Sequence, residues 1–455
     1  MYPWIARNLI YYPVQFLRGE KVNKYRDELR AFNRLSVEHM KEKQWEKMTA
    51  LLKYVYKNNP YYKKLFDDNN LTPERIQNPD DFKKIPYLNK AVIQTNHKQL
   101  LSTGSRRLDH RKTSGSSGMP LQFVKDRIAL ACMNAVMHEV YGWHGIEIGD
   151  RSCRIWAIPR EFKRQWSIFI RDLLQNRIRL NSFDVSDESS IKFYHAIRKF
   201  KPKFMMGVPS YMTDFSKRLI KAGLNPADMG LKTLITTGEI LYPAQKELLQ
   251  EHFRCTIANE YGTTECGIVA FACRHDKMHV QNYNLYVEVI NPETGRDACP
   301  GEPGEIVLTE LHSYAMPFIR YRLGDTVVLS DELCSCGMES PLFAHIEGRL
   351  EDMIETPDGR KVAGGMLYYT LTRGIHQFKA YQRAVNKLEV FIEKGPDFSE
   401  KFLEDVIVKW REYLGEEMQF EFKFVDRVPA DPSGKLRYFV PEFDPEYTKD
   451  GPLKK

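Results

Sequence analysis

No run of about 18 uninterrupted apolar residues occurs anywhere in this 455-residue chain, so nothing in it reads as a membrane-spanning helix. The amino terminus also lacks the charged-then-apolar pattern of a secretory signal. Cysteine is sparse. Eight in a chain this long do not make a secreted disulfide framework, which points to a reducing, cytoplasmic setting. Net charge is small as well: an excess of +7 over 67 basic and 60 acidic side chains is too dilute to imply a nucleic-acid partner, which would show a basic stripe or a binding module. Internal repeats and low-complexity tracts are absent. What remains is ordinary globular material, 42% hydrophobic and 28% charged, too long for a single core at about 150 residues per domain.

The opening third reads helical. Leu35 to Phe66 places Met40, Trp45, Met48, Leu51, Leu52, Val55 and Tyr56 at helical spacing, and Asn58-Asn59-Pro60 breaks the pattern. From Arg151 onward, short apolar runs (155–158, 204–208, 233–236) alternate with helical stretches (191–199, 211–222), which argues an α/β domain with largely parallel strands. After Gln281 closely spaced strands follow (285–290, 304–308, 326–329), predicting a β-rich subdomain or barrel over about 281–348. A strand at 387–392 and a helix at 402–413 then restart the pattern. The predicted organisation is an N-terminal domain, 1–348, and a smaller α+β domain, 349–455. The segment Met1–Gly19 mixes Trp4, Ile5, Leu9, Ile10, Tyr11, Tyr12, Phe16 and Leu17 with Arg7 and Arg18. Such a mix suits either an arm docked on the protein's own body or a helix lying on a membrane surface.

The stretch Thr113-Ser114-Gly115-Ser116-Ser117-Gly118-Met119-Pro120 carries the first chemical signal. Its glycines let the backbone turn tightly and approach a polyanion, while hydroxyls and loop amides can donate to phosphate oxygens. Taken alone it reads more readily as a Ser/Gly-rich surface turn. Further motifs follow in order: Gly207-Val208-Pro209-Ser210-Tyr211, Thr237-Gly238-Glu239, Tyr261-Gly262-Thr263-Thr264-Glu265, Tyr321-Arg322-Leu323-Gly324-Asp325, Gly348-Arg349-Leu350-Glu351-Asp352 and Ser433-Gly434-Lys435. Together they resemble the signature set of the adenylate-forming superfamily. Residues 54–96, with Asn59-Pro60-Tyr61-Tyr62 and Ile85-Pro86-Tyr87, are similar to the front of its phenylacetate–CoA ligase branch. Pro357-Asp358-Gly359-Arg360, Gln377-Phe378 and Gln382 are similar to that branch's capsular-polysaccharide biosynthesis (CapK-type) members.

The resemblance implies a large N-terminal α/β domain with a β-rich subdomain, a small mobile C-terminal α+β domain, and ATP-dependent activation of a carboxylic acid as an acyl-adenylate. Pyrophosphate is released, and the acyl group passes to CoA, or to an amine or carrier in polysaccharide biosynthesis. ATP and a carboxylate repel, so the site must neutralise charge while aligning carboxylate oxygen and α-phosphorus. Lys435 is the natural candidate for the catalytic cation, although a solvated surface lysine is the commoner fate of the residue type. Glu265 would hold Mg²⁺ on the phosphates, with Thr264 donating to the α-phosphate. Thr113, Ser114, Gly115, Ser116, Ser117 and Gly118 would cradle the phosphates. Glu239, Tyr261, Gly262 and Thr263 would line the nucleotide site, Asp325 would accept from the ribose hydroxyls, and Arg349 would add positive charge. Packing, turns or capping account for these residues equally well when each is taken singly. Two departures stand out. Met119 replaces the lysine usual in the phosphate loop, for which Lys112 or Lys125 could compensate, and Glu351 stands where an aspartate is common at the hinge, making Glu351 and Asp352 the hinge candidates.

Cys334-Ser335-Cys336-Gly337 is a tight thiolate pair on a glycine turn, with Cys273, His275 and His279 upstream. Cys273, His279, Cys334 and Cys336 form a candidate structural zinc site, with His275 as alternate and unliganded buried cysteines as the other reading. Cys266 could face the acyl pocket, but no base for it is evident. Two rival functions remain: a phosphate-loop kinase, against which the missing Gly-Lys-Ser/Thr ending counts, and a zinc-stabilised scaffold without catalysis.

Overall fold

The computed structural model describes residues 1–113, 121–156, 162–181, 186–292, 294–349, 353–364, 367, 371, 375–395, 398–428 and 438–442. Residues 114–120, which hold most of the phosphate loop and Met119, lie outside this set, as do Glu351, Asp352 and Lys435.

Helix Val37–Asn58 ends where the sequence breaks it, because Pro60 has no amide to donate and occupies the first turn of the next helix, Pro60–Asp68. Asn59 caps that helix through a 3.1 Å bond from the Tyr62 amide to its Oδ1, and donates 2.7 Å to the Leu100 carbonyl. The antiparallel pair β1 (Asp109–Lys112) and β2 (Gln122–Lys125) then brackets the phosphate motif in sequence.

Strands β3 (Ser152–Trp156), β4 (Arg177–Asn181), β5 (Phe204–Gly207), β6 (Thr233–Thr237) and β7 (Thr256–Thr263) pair in parallel, connected through helices such as Asp187–Phe200, Pro209–Lys221 and Pro243–Phe253. Strands β8 (Gly267–Ala272), β9 (Met278–Val280), β10 (Leu285–Ile290), β11 (Pro303–Glu310), β12 (Tyr321–Ser330) and β13 (Leu342–Arg349) pair antiparallel. The strand-rich stretch after Gln281 is therefore one wing of a single eleven-stranded sheet, in the order β10-β11-β12-β13-β9-β8-β7-β6-β5-β3-β4. Its largest cores are two, and a smaller one packs Leu29, Phe32, Val136 and Val140 against Ile235, Ala258 and Phe271. Of the two large ones, one gathers Met48, Leu52, Phe66, Ile306, Phe318 and Tyr321 over the antiparallel wing, the other Ile155, Met205, Phe215, Leu234 and Leu249 over the parallel one.

Beyond β13 come the short pair β14 (Met353–Glu355) and β15 (Lys361–Ala363), and a four-stranded sheet of β16 (Ile375–Ala384), β17 (Lys387–Lys394), β18 (Gln419–Phe424) and β19 (Phe439–Pro441). Helix Glu400–Leu414 seats Trp410 in this sheet's own core. The unit touches the larger sheet's helices through Tyr242 against Tyr438 and Arg218 near Glu393, at 3.9 Å.

Candidate active site and metal cluster

Three of the motifs sit together because each follows the carboxyl end of a parallel strand: Gly207-Val208-Pro209 after β5, Thr237-Gly238-Glu239 after β6, and Tyr261 to Glu265 at the end of β7. Open α/β sheets bind their ligands at this edge. Gly238 turns with φ +80°, a backbone state glycine enters without a Cβ penalty. Glu239 accepts a 3.1 Å bond from the Ser210 amide and so ties two of the three motifs together. Behind them Glu260 is buried, taking bonds from Tyr141 and Thr237, each 2.9 Å; burial pushes its carboxyl above the ordinary range.

Strands β7 and β12 are not neighbours in the sheet, yet two tyrosine–carboxylate bonds cross between them. The Tyr261 hydroxyl donates 2.7 Å to Asp325 Oδ2, and the Tyr321 hydroxyl donates 3.2 Å to Glu265 Oε1. Asp325 stands opposite Arg349 in the β12–β13 register, with 3.9 Å between Oδ1 and Nε. Burial raises the Asp325 carboxyl, and Arg349 opposes the shift. Glu265 is buried while Thr264 beside it is exposed, so the hydroxyl faces outward over a carboxylate held from below. Gly262 is required by close approach: a Cβ there would fall 2.9 Å from the Gly267 carbonyl oxygen. Thr263 turns inward to accept the Cys266 amide at 2.9 Å. Thr113 bonds Leu121 twice just beyond the β1–β2 pair, its amide donating to the Leu121 carbonyl and its hydroxyl accepting the Leu121 amide.

Two sequence expectations need correction here. Lys125 is no substitute for the missing loop lysine, because it is wholly buried in an ion pair with Glu310 and lies over the Phe318 ring, 4.7 Å from its centroid. Lys112 is exposed on β1. Cys266 is fully buried, and burial pushes its thiol well above the ordinary range, so it offers no thiolate for acyl transfer. The Lys125–Glu310 pair instead fastens the β1–β2 pair to β11. Lys125→Met alone, which strands a buried carboxylate, should cost about 3–5 kcal/mol in urea denaturation, most of it recovered by adding Glu310→Leu.

The metal-type cluster assembles as four residues. Cys273, His279, Cys334 and Cys336 bring their ligand atoms within 4.8 Å of one another. Cys273 Sγ lies 3.6 Å from Cys334 Sγ, and Cys336 Sγ lies 3.3 Å from His279 Nε2. Metal–sulfur bonds of about 2.3 Å around a tetrahedral zinc put neighbouring sulfurs about 3.8 Å apart, so the spacing fits that ion. His279 Nδ1 bonds Ser340 Oγ at 2.8 Å, leaving Nε2 toward the thiols, and burial lowers the ring to about 4, which keeps it neutral. His275 is turned to Ser335, 3.1 Å away, and is not a member. Two turns present the sulfurs: one places the Cys273 amide on the Lys277 carbonyl, and the other pivots on Gly337 at φ +85°.

Sequence reasoning assigned no role to Tyr321, Glu310 or Ser340. Tyr321 opens a recognised motif, and that was the one available signal. The partners of all three are brought close only by folding.

Residues 113–312 match the family model described as AMP-binding enzyme, and residues 354–442 match the CapK C-terminal domain. The chain belongs to the adenylate-forming superfamily, on its phenylacetate–CoA ligase-like branch. It is an AMP-forming ligase. Phenylacetate-coenzyme A ligase of Thermus thermophilus is 24% identical over 357 residues, covering 72% of this chain and 74% of that protein. Protein CapK of Staphylococcus aureus is 21% identical over 417 residues, 88% of each. Among solved structures, 2-hydroxyisobutyryl-CoA ligase in its postadenylation state superposes with a TM-score of 0.75 at 18% identity, covering 90% of this chain and 91% of that one. No described helix of the ligase is long and apolar enough to cross a membrane.

Proposed function

We propose that the ligase couples a carboxylic acid to ATP as an acyl-adenylate and then transfers the acyl group to CoA. The observation that carries this reading is the crossed pair Tyr261–Asp325 and Tyr321–Glu265 at the ligand edge of the sheet. It sets two carboxylates of different task side by side. Asp325, beside Arg349, accepts from the ribose hydroxyls, and Glu265 is positioned for a divalent cation. Glu265 supplies hard oxygen donors suited to Mg²⁺, which when bound offsets phosphate charge. Tyr321 fixes the carboxylate so that it need not reorganise. The loop closed by Thr113 and Leu121 binds the phosphates, and Lys435 brings positive charge to the carboxylate and α-phosphate. A carboxylate oxygen attacks the α-phosphorus, the bond from that phosphorus to the bridging oxygen breaks, and pyrophosphate leaves. The CoA sulfur then attacks the acyl carbon, its proton passes to solvent, and AMP departs. The domain boundary is placed at Arg349, with Glu351 and Asp352 as the hinge.

A second acceptor reading has its own support. The match of residues 354–442 to the CapK C-terminal domain favours delivery to an amine or carrier in polysaccharide biosynthesis. The zinc-stabilised scaffold without catalysis is the remaining alternative, and Met119 motivates it. Pyrophosphate release from ATP and Mg²⁺ across aryl, amino and sugar-derived acids tests all three; acceptors are then offered to the adenylate formed. If none of the acids gives turnover and calorimetry shows no ATP binding, only the scaffold remains. Glu265→Gln should lower adenylation about 100-fold and raise the Mg²⁺ concentration needed for half-maximal rate. An unchanged Mg²⁺ dependence would remove Glu265 from that role.

A further inference from the structure

Two helical segments of the ligase are inside out. The helix Phe162–Leu174 turns Trp166, Phe169, Ile170 and Leu173 to solvent, the i, i+3, i+4, i+7 stripe that ordinarily faces a core. Trp166 is 52% and Phe169 59% exposed. Among its described side chains only Asp172 is buried, bonded to Arg179 at 2.7 and 2.9 Å, so the helix is moored by an ion pair rather than by its apolar face. The amino-terminal helical run, Pro3 to Arg18, repeats this arrangement. It is moored by Arg7 to Glu147 and by Tyr11 to His138 at 2.6 Å, while Phe16 and Leu17 are 85% and 78% exposed. The two segments adjoin, and the Asn176 amide just past the first of them donates 3.1 Å to the Met1 carbonyl. Of the 19 large hydrophobic side chains exposed among the described residues, 12 fall in residues 1–17 and 162–174, so they form a face rather than a scatter.

We propose that this face lies on a bilayer containing anionic phospholipid. Charge decides between that occupant and a second copy of the chain. Lys163 and Arg171 are exposed on the helix that carries the apolar stripe, and Lys21, Arg107 and Arg18, the last also paired with the buried Glu20 at 3.1 Å, lie at the end of the other, Arg107 reaching Gly19. Glu147, an exposed acid at this face, is paired with Arg7. A two-fold contact would set the basic rim against itself, whereas an anionic headgroup layer complements it. Tryptophan and phenylalanine between cations suit the headgroup–acyl boundary. The sequence offered the first segment as one such element; the second is contributed by a helix about 150 residues further on.

Flotation of the full chain with vesicles of phosphatidylcholine plus phosphatidylglycerol, against phosphatidylcholine alone, tests the proposal. The protein should float with the anionic vesicles and much less with the neutral ones, and added salt should release it. Trp166→Ser with Phe169→Ser should weaken partitioning roughly tenfold or more, while the melting temperature and pyrophosphate release stay unchanged. Should that pair unfold the chain, Lys163→Glu with Arg171→Glu changes only exposed charges and should abolish the preference for anionic vesicles. Wild-type protein that does not float, or flotation that survives both variants, overturns the proposal. A concentration-dependent dimer that Trp166→Ser with Phe169→Ser dissociates, without flotation, assigns the face to a second copy instead.

Discussion

Lys435→Ala is expected to slow acyl-adenylate formation by a factor of about 10²–10³, the loss seen when one preorganised charge or donor is taken from a developing anionic transition state. Carboxylate and α-phosphate are both negative, and the attack brings them within bonding distance. A single ammonium touching both relieves that repulsion chiefly as the bond forms, so its removal lowers the rate more than it weakens ATP binding. The effect should be confined to the first half-reaction. Pyrophosphate release should collapse, while thioester formation from a supplied acyl-adenylate should run near the wild-type rate, because the mixed anhydride no longer carries the opposing carboxylate. Lys435→Arg should recover little, since a planar fork does not replace a compact ammonium. Equal loss in both half-reactions would place Lys435 outside the adenylation step.

The second large effect is expected on stability. The purified ligase should carry about one zinc per chain, measured by mass spectrometry of the metal, because three thiols and a neutral imidazole at the observed spacing form a closed tetrahedral donor set. Chelation, or Cys334→Ser with Cys336→Ser, should remove the metal and lower the melting temperature. Structural zinc supplies on the order of 10 kcal/mol in isolated finger peptides; here β8, β9 and β13 are already paired around the cluster, so about 3 kcal/mol is expected, a fall of roughly 3–4 °C for a chain of this size. His275→Ala should leave metal content unchanged, since its ring faces Ser335. A wild-type protein without zinc, with a melting temperature indifferent to chelator, would leave the cysteines as ordinary half-buried thiols.

Much of this protein was legible before folding because its signals are local. The break at Asn59-Pro60, the alternation that makes a parallel sheet, and the ordered motifs from Thr113 to Lys435 each depend on a few consecutive residues and on backbone chemistry that does not need the rest of the chain. The cysteine pair at 334 and 336 belongs to this class too, since two thiols on one glycine turn stay close in any fold.

What the tertiary structure decided depends on direction and depth, and neither is written in spacing. Lys125 reads like any lysine near a phosphate loop until β11 places Glu310 against it in a dry core. His275 and His279 are four residues apart, yet only the second turns its Nε2 to the sulfurs, because the short strand β9 points it inward and Ser340 holds its other nitrogen. Glu265 and Asp325 acquire their tyrosine partners only when a twisted sheet brings two non-neighbouring strands together. The apolar face needs two helices, distant in sequence, to be moored by polar contacts with their hydrophobic stripes outward. Periodicity shows that a helix has an apolar side, but only packing settles whether that side meets the core or the solvent.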